Sequence, residues 1–259
     1  ANYDSLFFTD CEVSATTDMN ATAISACVGG FIGYDSTNWE LQFDGCTHSG
    51  VVKYSALAST ATAKTTEAVR MGGFTGYRGG GITTHYKDCA NTGSVILEGE
   101  QTAKGNGMHG YNLGGFFGRN AGNKLSFENC TNGELGSTTK GAVTAAGTPS
   151  SGITLGGIMG LTSHHFTATG CKNYGPIKQT GAGGASGTYR SSIGGILGAA
   201  PNDGTSTISI TNCENYGNVA YGSVKPTNRV DVGGIMGTSS QKGTTTITGC
   251  KNGGKIEFN

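Results

Sequence analysis

The sequence predicts an all-β fold, a parallel β-solenoid of about six and a half stacked coils with roughly 40 residues per repeat. Three observations carry this expectation. A glycine-pair hexapeptide recurs as VGGFIG at 28, MGGFTG at 71, LGGFFG at 113, LGGIMG at 155, IGGILG at 193 and VGGIMG at 232. The intervals between first glycines are 43, 42, 42, 38 and 39. A cysteine follows each pair at a similar distance: Cys46, Cys89, Cys130, Cys171, Cys213 and Cys250. Ahead of each cysteine, apolar and polar residues alternate with a period of two, which marks a half-buried strand.

Composition agrees. The 259 residues include 47 glycines, and only 13% are charged, a balance that favours strands and turns over helices. Lys plus Arg and Asp plus Glu both number 17, so the composition carries no general attraction for nucleic acid or anionic membrane. No apolar run reaches the roughly 18 residues of a membrane-spanning helix. The chain opens at Ala1 without a methionine or a signal-like segment, and the expectation is a single repeat domain, residues 1–259, within a longer surface protein.

Taken in order, residues 1–27 form a half repeat, since LFFTDC at 6–11 matches the segment before each later cysteine and makes Cys11 a seventh member. Repeats then start near 28, 71, 113, 155, 193 and 232. Each is expected to hold three strands: one at the glycine pair, one before the cysteine and one after the turn. In the strand before the cysteine, Phe8, Phe43, Tyr86, Phe127, Ala168, Ile210 and Ile247 face inward, and Thr9, Asp44, Lys87, Glu128, Thr169, Thr211 and Thr248 face outward. After the cysteine comes a turn with Asn91, Asn132, Asn173, Asn215 or Asn252, whose amides are expected to bond between coils. The strand after the turn then starts at Val52, Val95, Leu135, Ile177, Val219 and Ile256 in register. Coils about 4.8 Å apart would carry seven strands over roughly 29 Å. The surplus residues fall in loops at 54–69, 136–152 and 179–191, where a regular scaffold carries its specificity.

These motifs resemble the GLUG-type repeat of bacterial cell-surface proteins, in which GGLVG precedes a strand ending in NCYNTG and a valine. IGGILG with TNCENYGNV is the nearest match here, and the resemblance runs over residues 6–259. It implies an extracellular adhesion or recognition module, or a noncatalytic segment of a secreted protease. Phe or Ile stands where the pattern has Leu, and the loops are longer.

The repeated residues read as frame rather than chemistry. The glycine pair lacks the Lys-Ser or Lys-Thr of a phosphate loop and the GxGxxG of a dinucleotide turn. Seven equivalent cysteines make poor nucleophiles, and without CxxC pairs no zinc site is expected, so most should be buried thiols. Cys27 stands outside that row, opposite Arg70, Asn112, Thr154, Ser192 and Asp231 in the other repeats, and is the cysteine to test for pairing with Cys11. His164 and His165 are neighbours in a strand and point opposite ways.

Function is therefore sought where the copies differ. Tyr34, Tyr77 and Arg119 occupy equivalent positions, with Trp39, Arg78 and Tyr111 nearby, and these six are the candidate binding residues for a glycan or host protein. Asp44, Lys87 and Glu128, beside Gln42, His85 and Ser126, form an alternative catalytic strip suited to a polysaccharide lyase or glycosidase. Rows of Thr167, Ser209 and Thr246 beside Thr169, Thr211 and Thr248 raise ice binding as a lesser possibility, and a plain structural stalk is another. The expectation is a monomeric adhesion or recognition module on the bacterial surface, with no catalytic residues, cofactor, metal, nucleic-acid partner or membrane insertion.

Overall fold

A computed structural model describes residues 5–21, 25–56, 68–101, 110–122, 124–146, 148–149, 152–180, 190–201, 206–222, 229–240 and 242–258. The predicted loops at 54–69, 136–152 and 179–191 lie partly outside these residues. The first coil runs through β1 (Ser5–Thr9), β2 (Glu12–Val13), β3 (Thr17–Ala21), β4 (Ala26–Gly29) and β5 (Ile32–Asp35). The second to sixth coils repeat the five strands. A seventh coil contributes Thr244–Thr248, Lys251–Asn252 and Ile256–Phe258. Equivalent strands pair in parallel from coil to coil and build five sheets, with Thr148–Pro149 pairing beside the β3 stack. The chain is thus a parallel β-solenoid.

Five strands per coil, rather than three, follow from the turns. The glycine pair is a corner between two strands, β4 and β5, and the asparagine turn after the cysteine is itself a short strand, β2. The corner between β1 and β2 has a consistent backbone: Asp10, Gly45, Asp88, Asn129, Gly170, Asn212 and Gly249 all lie at φ between 50° and 65°. Only Gly, Asn and Asp adopt that left-handed conformation at low cost, which explains why the residue before each cysteine is one of the three.

Two apolar cores fill the coil. One joins β1, the cysteines and β5, through residues such as Phe43, Cys89, Phe117 and Leu197. The other joins β3 and β4, through Val52, Tyr54, Leu113 and Ile193. In the first core Phe8, Phe43, Tyr86 and Phe127 stack at 4.6 to 4.7 Å, and Phe31, Phe74 and Phe116 stack at 4.7 to 4.8 Å. The coil spacing is close to the offset-stacking distance of aromatic rings, so each row packs without distortion. The buried Tyr86 hydroxyl is satisfied by Thr75 Oγ1 at 2.7 Å. Later coils place Ala168, Ile210, Ile158 and Ile196 in these positions.

A polar row separates the two cores. Asn91, Asn132, Asn173 and Asn215 each donate from Nδ2 to Oδ1 of the next asparagine at 2.7 Å, ending at Asn252. Each Nδ2 also donates to a glycine carbonyl on its own coil, as from Asn173 to Gly175 at 2.9 Å. The second glycine of each pair faces this row: a Cβ on Gly115 would lie 2.3 Å from Asn132 Oδ1 and 2.1 Å from the Gly157 carbonyl oxygen. Glycine is required there because the amide row fills the space a side chain would take.

His48 begins the row, its Nδ1 lying 2.7 Å from Asn91 Oδ1. An amide oxygen only accepts, so His48 carries its proton on Nδ1. Burial holds its pKa below the ordinary value of 6.5, and Nε2 is buried with no partner among the described residues. Val13 follows in register on the first coil and ends the row.

The strand after the turn shows one departure from expectation. Leu135 does not join that row; Val143 pairs with Val95 and Ile177 instead, and Leu135 is 74% exposed. Eleven positions separate Asn132 from Val143 where four separate Asn91 from Val95, so seven extra residues, Glu134–Lys140, leave the coil as a loop. Gly141 then takes the place of Gly93, its carbonyl accepting from Asn132 Nδ2 at 2.7 Å. The coil resumes where an acceptor for the amide recurs, not where an apolar residue first appears.

Two predictions follow from the amide row. Asn132→Ala should cost about 2–4 kcal/mol in denaturant unfolding, because it strands buried partners on both neighbouring coils. Asn252→Ala, at the solvent-exposed end, should cost under about 1 kcal/mol, since water replaces the lost partner.

The His48 contribution depends on pH with a defined sign. Below 6.5 the unfolded chain binds a proton that the folded chain resists, so stability is full above 6.5 and falls as pH drops toward the lower folded value. Urea midpoints should decline over that range in the parent chain, and His48→Asn should show a shallower decline.

Candidate binding surface

Two ladders build the surface. On the β5 sheet Tyr34, Tyr77 and Arg119 stand in register and continue through Leu161, Ala199 and Thr238. On the β4 sheet Cys27, Arg70, Asn112, Thr154, Ser192 and Asp231 do the same. The glycine-pair corner folds β5 back beside β4, and the two ladders meet. Ser192 Oγ donates across this seam to the Gly198 carbonyl at 2.7 Å.

The seam changes along the stack. Thr154, Leu161, Ser192 and Ala199 are small or apolar enough to be fully buried in it. In the first three coils Tyr34, Arg70, Tyr77 and Arg119 stand at these positions beside Cys27 and the buried Asn112, and the four large side chains are half-buried or exposed. Tyr34 is 58% exposed and stacks on Tyr77, with ring centroids 5.4 Å apart and planes 26° from parallel. The Arg70 guanidinium lies 4.2 Å above the Tyr77 ring centroid and that of Arg119 lies 5.9 Å from it. Both distances are within cation–π range. Burial, reinforced by the charge of Arg70, lowers the Arg119 pKa below the ordinary arginine value, with Tyr77 and Cys27 opposing.

Of the six residues proposed from sequence, the structure brings Tyr34, Tyr77 and Arg119 together. Trp39 is 43% exposed but stands in the turn after Asp35, its carbonyl accepting from Arg78. Two residues need correction. Tyr111 is fully buried in the β3–β4 core, paired between Val69 and Ile153, because its position alternates inward where Asn112 alternates outward. Arg78 is 1% exposed and serves as an internal staple. It bonds the carbonyls of Gly80 at 3.0 Å and Thr83 at 3.1 Å, the Thr84 hydroxyl and the Trp39 carbonyl, and its Nε lies 3.1 Å from the Asp35 carboxylate. It ties the end of one coil to the start of the next.

Arg70 was noted in the sequence only as the counterpart of Cys27. Its signal was its parity: two residues before the glycine pair, every ladder member points away from the core. The thiol of Cys27 accepts a long contact from Arg70 Nη1 at 3.7 Å. Cys27 and Cys11 are both free, since Cys11 packs on the first core and Cys27 faces the seam. The remaining cysteines are also unpaired thiols, and burial raises Cys46 to about 11 and pushes Cys130 well up.

The alternative strip is in register as expected, with Lys87 between Asp44 and Glu128. His85 Nδ1 lies 2.7 Å from Ser126 Oγ beside it. The strip occupies the outer face of the β1 sheet, and both carboxylate residues are exposed. Among the described residues no group of three or more His, Cys, Asp or Glu is placed to hold a metal. On the β3 sheet a groove of about 510 Å³ lies beside the loop at 134–140, bordered by Ile96, Thr139, Thr144, Lys178 and Glu257. Ser94 Oγ holds the loop there by donating to the Thr139 carbonyl at 3.0 Å.

No family model, curated protein or solved structure matches this chain.

The staple makes a prediction about stability. Arg78→Met should lower unfolding stability by about 3 kcal/mol or more, because it leaves the Asp35 carboxylate without its buried partner. The measurement is a denaturant midpoint against the parent chain.

Proposed function

We propose that this chain is a noncatalytic recognition module on the outer surface of a bacterium, and that it binds glycan on the Tyr34–Tyr77 face. The observation that carries this reading is the stack of the exposed Tyr34 on the half-buried Tyr77, flanked by Arg119 and Arg70, on a scaffold whose equivalent positions in the fourth and fifth coils are sealed. Sugar rings present apolar C–H faces that pack on aromatic rings, and arginine supplies directional donors at their edge. The rigid frame holds this surface in place, so little ordering entropy opposes binding.

The resemblance to GLUG-type repeats supports the same reading, because proteins with that pattern look like surface adhesins or accessory segments of secreted enzymes. The variation among copies supports it too. The glycines, cysteines and asparagines recur from coil to coil, whereas the aromatic and cationic side chains of the seam are confined to the first three.

A panel of oligosaccharides, tested against the full chain by calorimetry, decides the matter. Tyr77→Ala should weaken binding at least about tenfold, or about 1.4 kcal/mol, with the thermal midpoint little changed. Absence of binding to any glycan overturns the reading. So does polysaccharide turnover that is abolished by Glu128→Gln, which would assign the β1 strip as a catalytic site.

A further inference from the structure

We infer that the tyrosine face selects an anionic saccharide, one bearing a carboxylate or sulfate, with Arg70 and Arg119 reading the charge. This rests on the glycan reading above and narrows its ligand class. Arg70 comes from the β4 sheet of the second coil and Arg119 from the β5 sheet of the third, and both converge on Tyr77. Two like charges are thus gathered at one partly dry surface.

Neither has an ion-pair partner among the described residues. The ion pairs among the described residues are Lys53–Glu98, Arg78–Asp35, Lys140–Glu134, Lys172–Glu214 and Arg229–Asp231, and none includes Arg70 or Arg119. The contrast with neighbouring arginines is informative. Arg78, next to Tyr77 in the chain, is matched by Asp35 at 3.1 Å. At the far end of the ladder that contains Arg70 stands Asp231, which Arg229 meets at 2.8 Å. Arg78 and Arg229 each meet an acid, and the pair at Tyr77 meets none among the described residues.

Among the described residues much of their hydrogen-bonding capacity is also unspent. Each guanidinium has five donors in a planar fork that matches two oxygens of a carboxylate or sulfate. The Nε of Arg70 and the Nε of Arg119 are buried without an acceptor among the described residues, and the contact of Arg70 to Cys27 Sγ is long, at 3.7 Å. An anionic group beside Tyr77 would relieve the repulsion between the two cations and accept from both. The sugar ring carrying it would lie against the exposed Tyr34 and the free edge of the half-buried Tyr77. With 17 cationic and 17 acidic residues, the chain as a whole supplies no net charge, so selection rests on these two side chains.

Calorimetry of the full chain tests this with an oligogalacturonate, a sulfated galactan oligosaccharide, a neutral galactan oligosaccharide of the same length, and inorganic sulfate alone. At low ionic strength at least one anionic oligosaccharide should bind at least about tenfold tighter than the neutral one, and added salt should shrink that ratio. Arg70→Gln and Arg119→Gln should each bring the ratio close to one. The salt series on the unaltered chain gives the same readout if a variant fails to fold. Equal affinity for neutral and anionic oligosaccharides overturns this inference and leaves the tyrosine face as a glycan site. No oligosaccharide binding overturns both, and inorganic sulfate binding as tightly as the sulfated oligosaccharide overturns the role of the sugar ring.

Discussion

The asparagine row and the glycine that faces it are the constraint on which the rest of this solenoid depends. Each of the four buried amides must donate twice, once to the next coil and once to a glycine carbonyl on its own, and must do so inside an apolar molecule. A buried amide with either bond unmade is costly, so the row sets where each coil turns and how coils align. The glycine pair is the complementary half, since a side chain there would occupy the space of the amide. Two apolar cores result, one on each side of a polar spine.

The loop at Glu134–Lys140 shows how strongly this constraint acts. Leu135 arrives early enough to enter the apolar row, but the chain passes it by and returns at Val143, after Gly141 has supplied the missing acceptor. Burying a leucine is worth roughly 2 kcal/mol, comparable to one unsatisfied buried amide, and here the pairing geometry decides. Insertions are absorbed outside the coil while register is kept inside it. The loop also borders the groove on the β3 sheet, so the same insertion that spares the core reshapes the surface.

The frame leaves little freedom elsewhere, and the differences among copies gather at the seam between β4 and β5. In the later coils that seam closes over Thr154, Leu161, Ser192 and Ala199. In the early coils Tyr34, Tyr77, Arg70 and Arg119 keep it open and charged. The aromatic content of the first core follows the same gradient, from Phe43 and Tyr86 to Ile210. The first core is therefore ring-rich at one end of the stack and aliphatic at the other.

Period, strand parity and the amide row were legible in the sequence because each is a one-dimensional consequence of stacking: identical coils place identical residues above one another. Period two told Phe43 from Asp44, and repetition told frame from candidate site. The left-handed corner leaves a mark in the sequence, the run of Asp, Gly and Asn before each cysteine, but it is recognised only once the φ values are known. What the tertiary structure alone decided concerns neighbours that are not stacked. Arg78 and Tyr77 are adjacent in the chain, yet one is an internal staple to Asp35 and the other lies in the open seam. Tyr111 lies one residue from Asn112 and is buried on the opposite side of its sheet. Arg70 joins Tyr77 only because the glycine corner folds β5 against β4. Stacking contacts repeat along the sequence and can be read from it; contacts across the coil depend on the angle of each corner, which backbone packing sets in three dimensions.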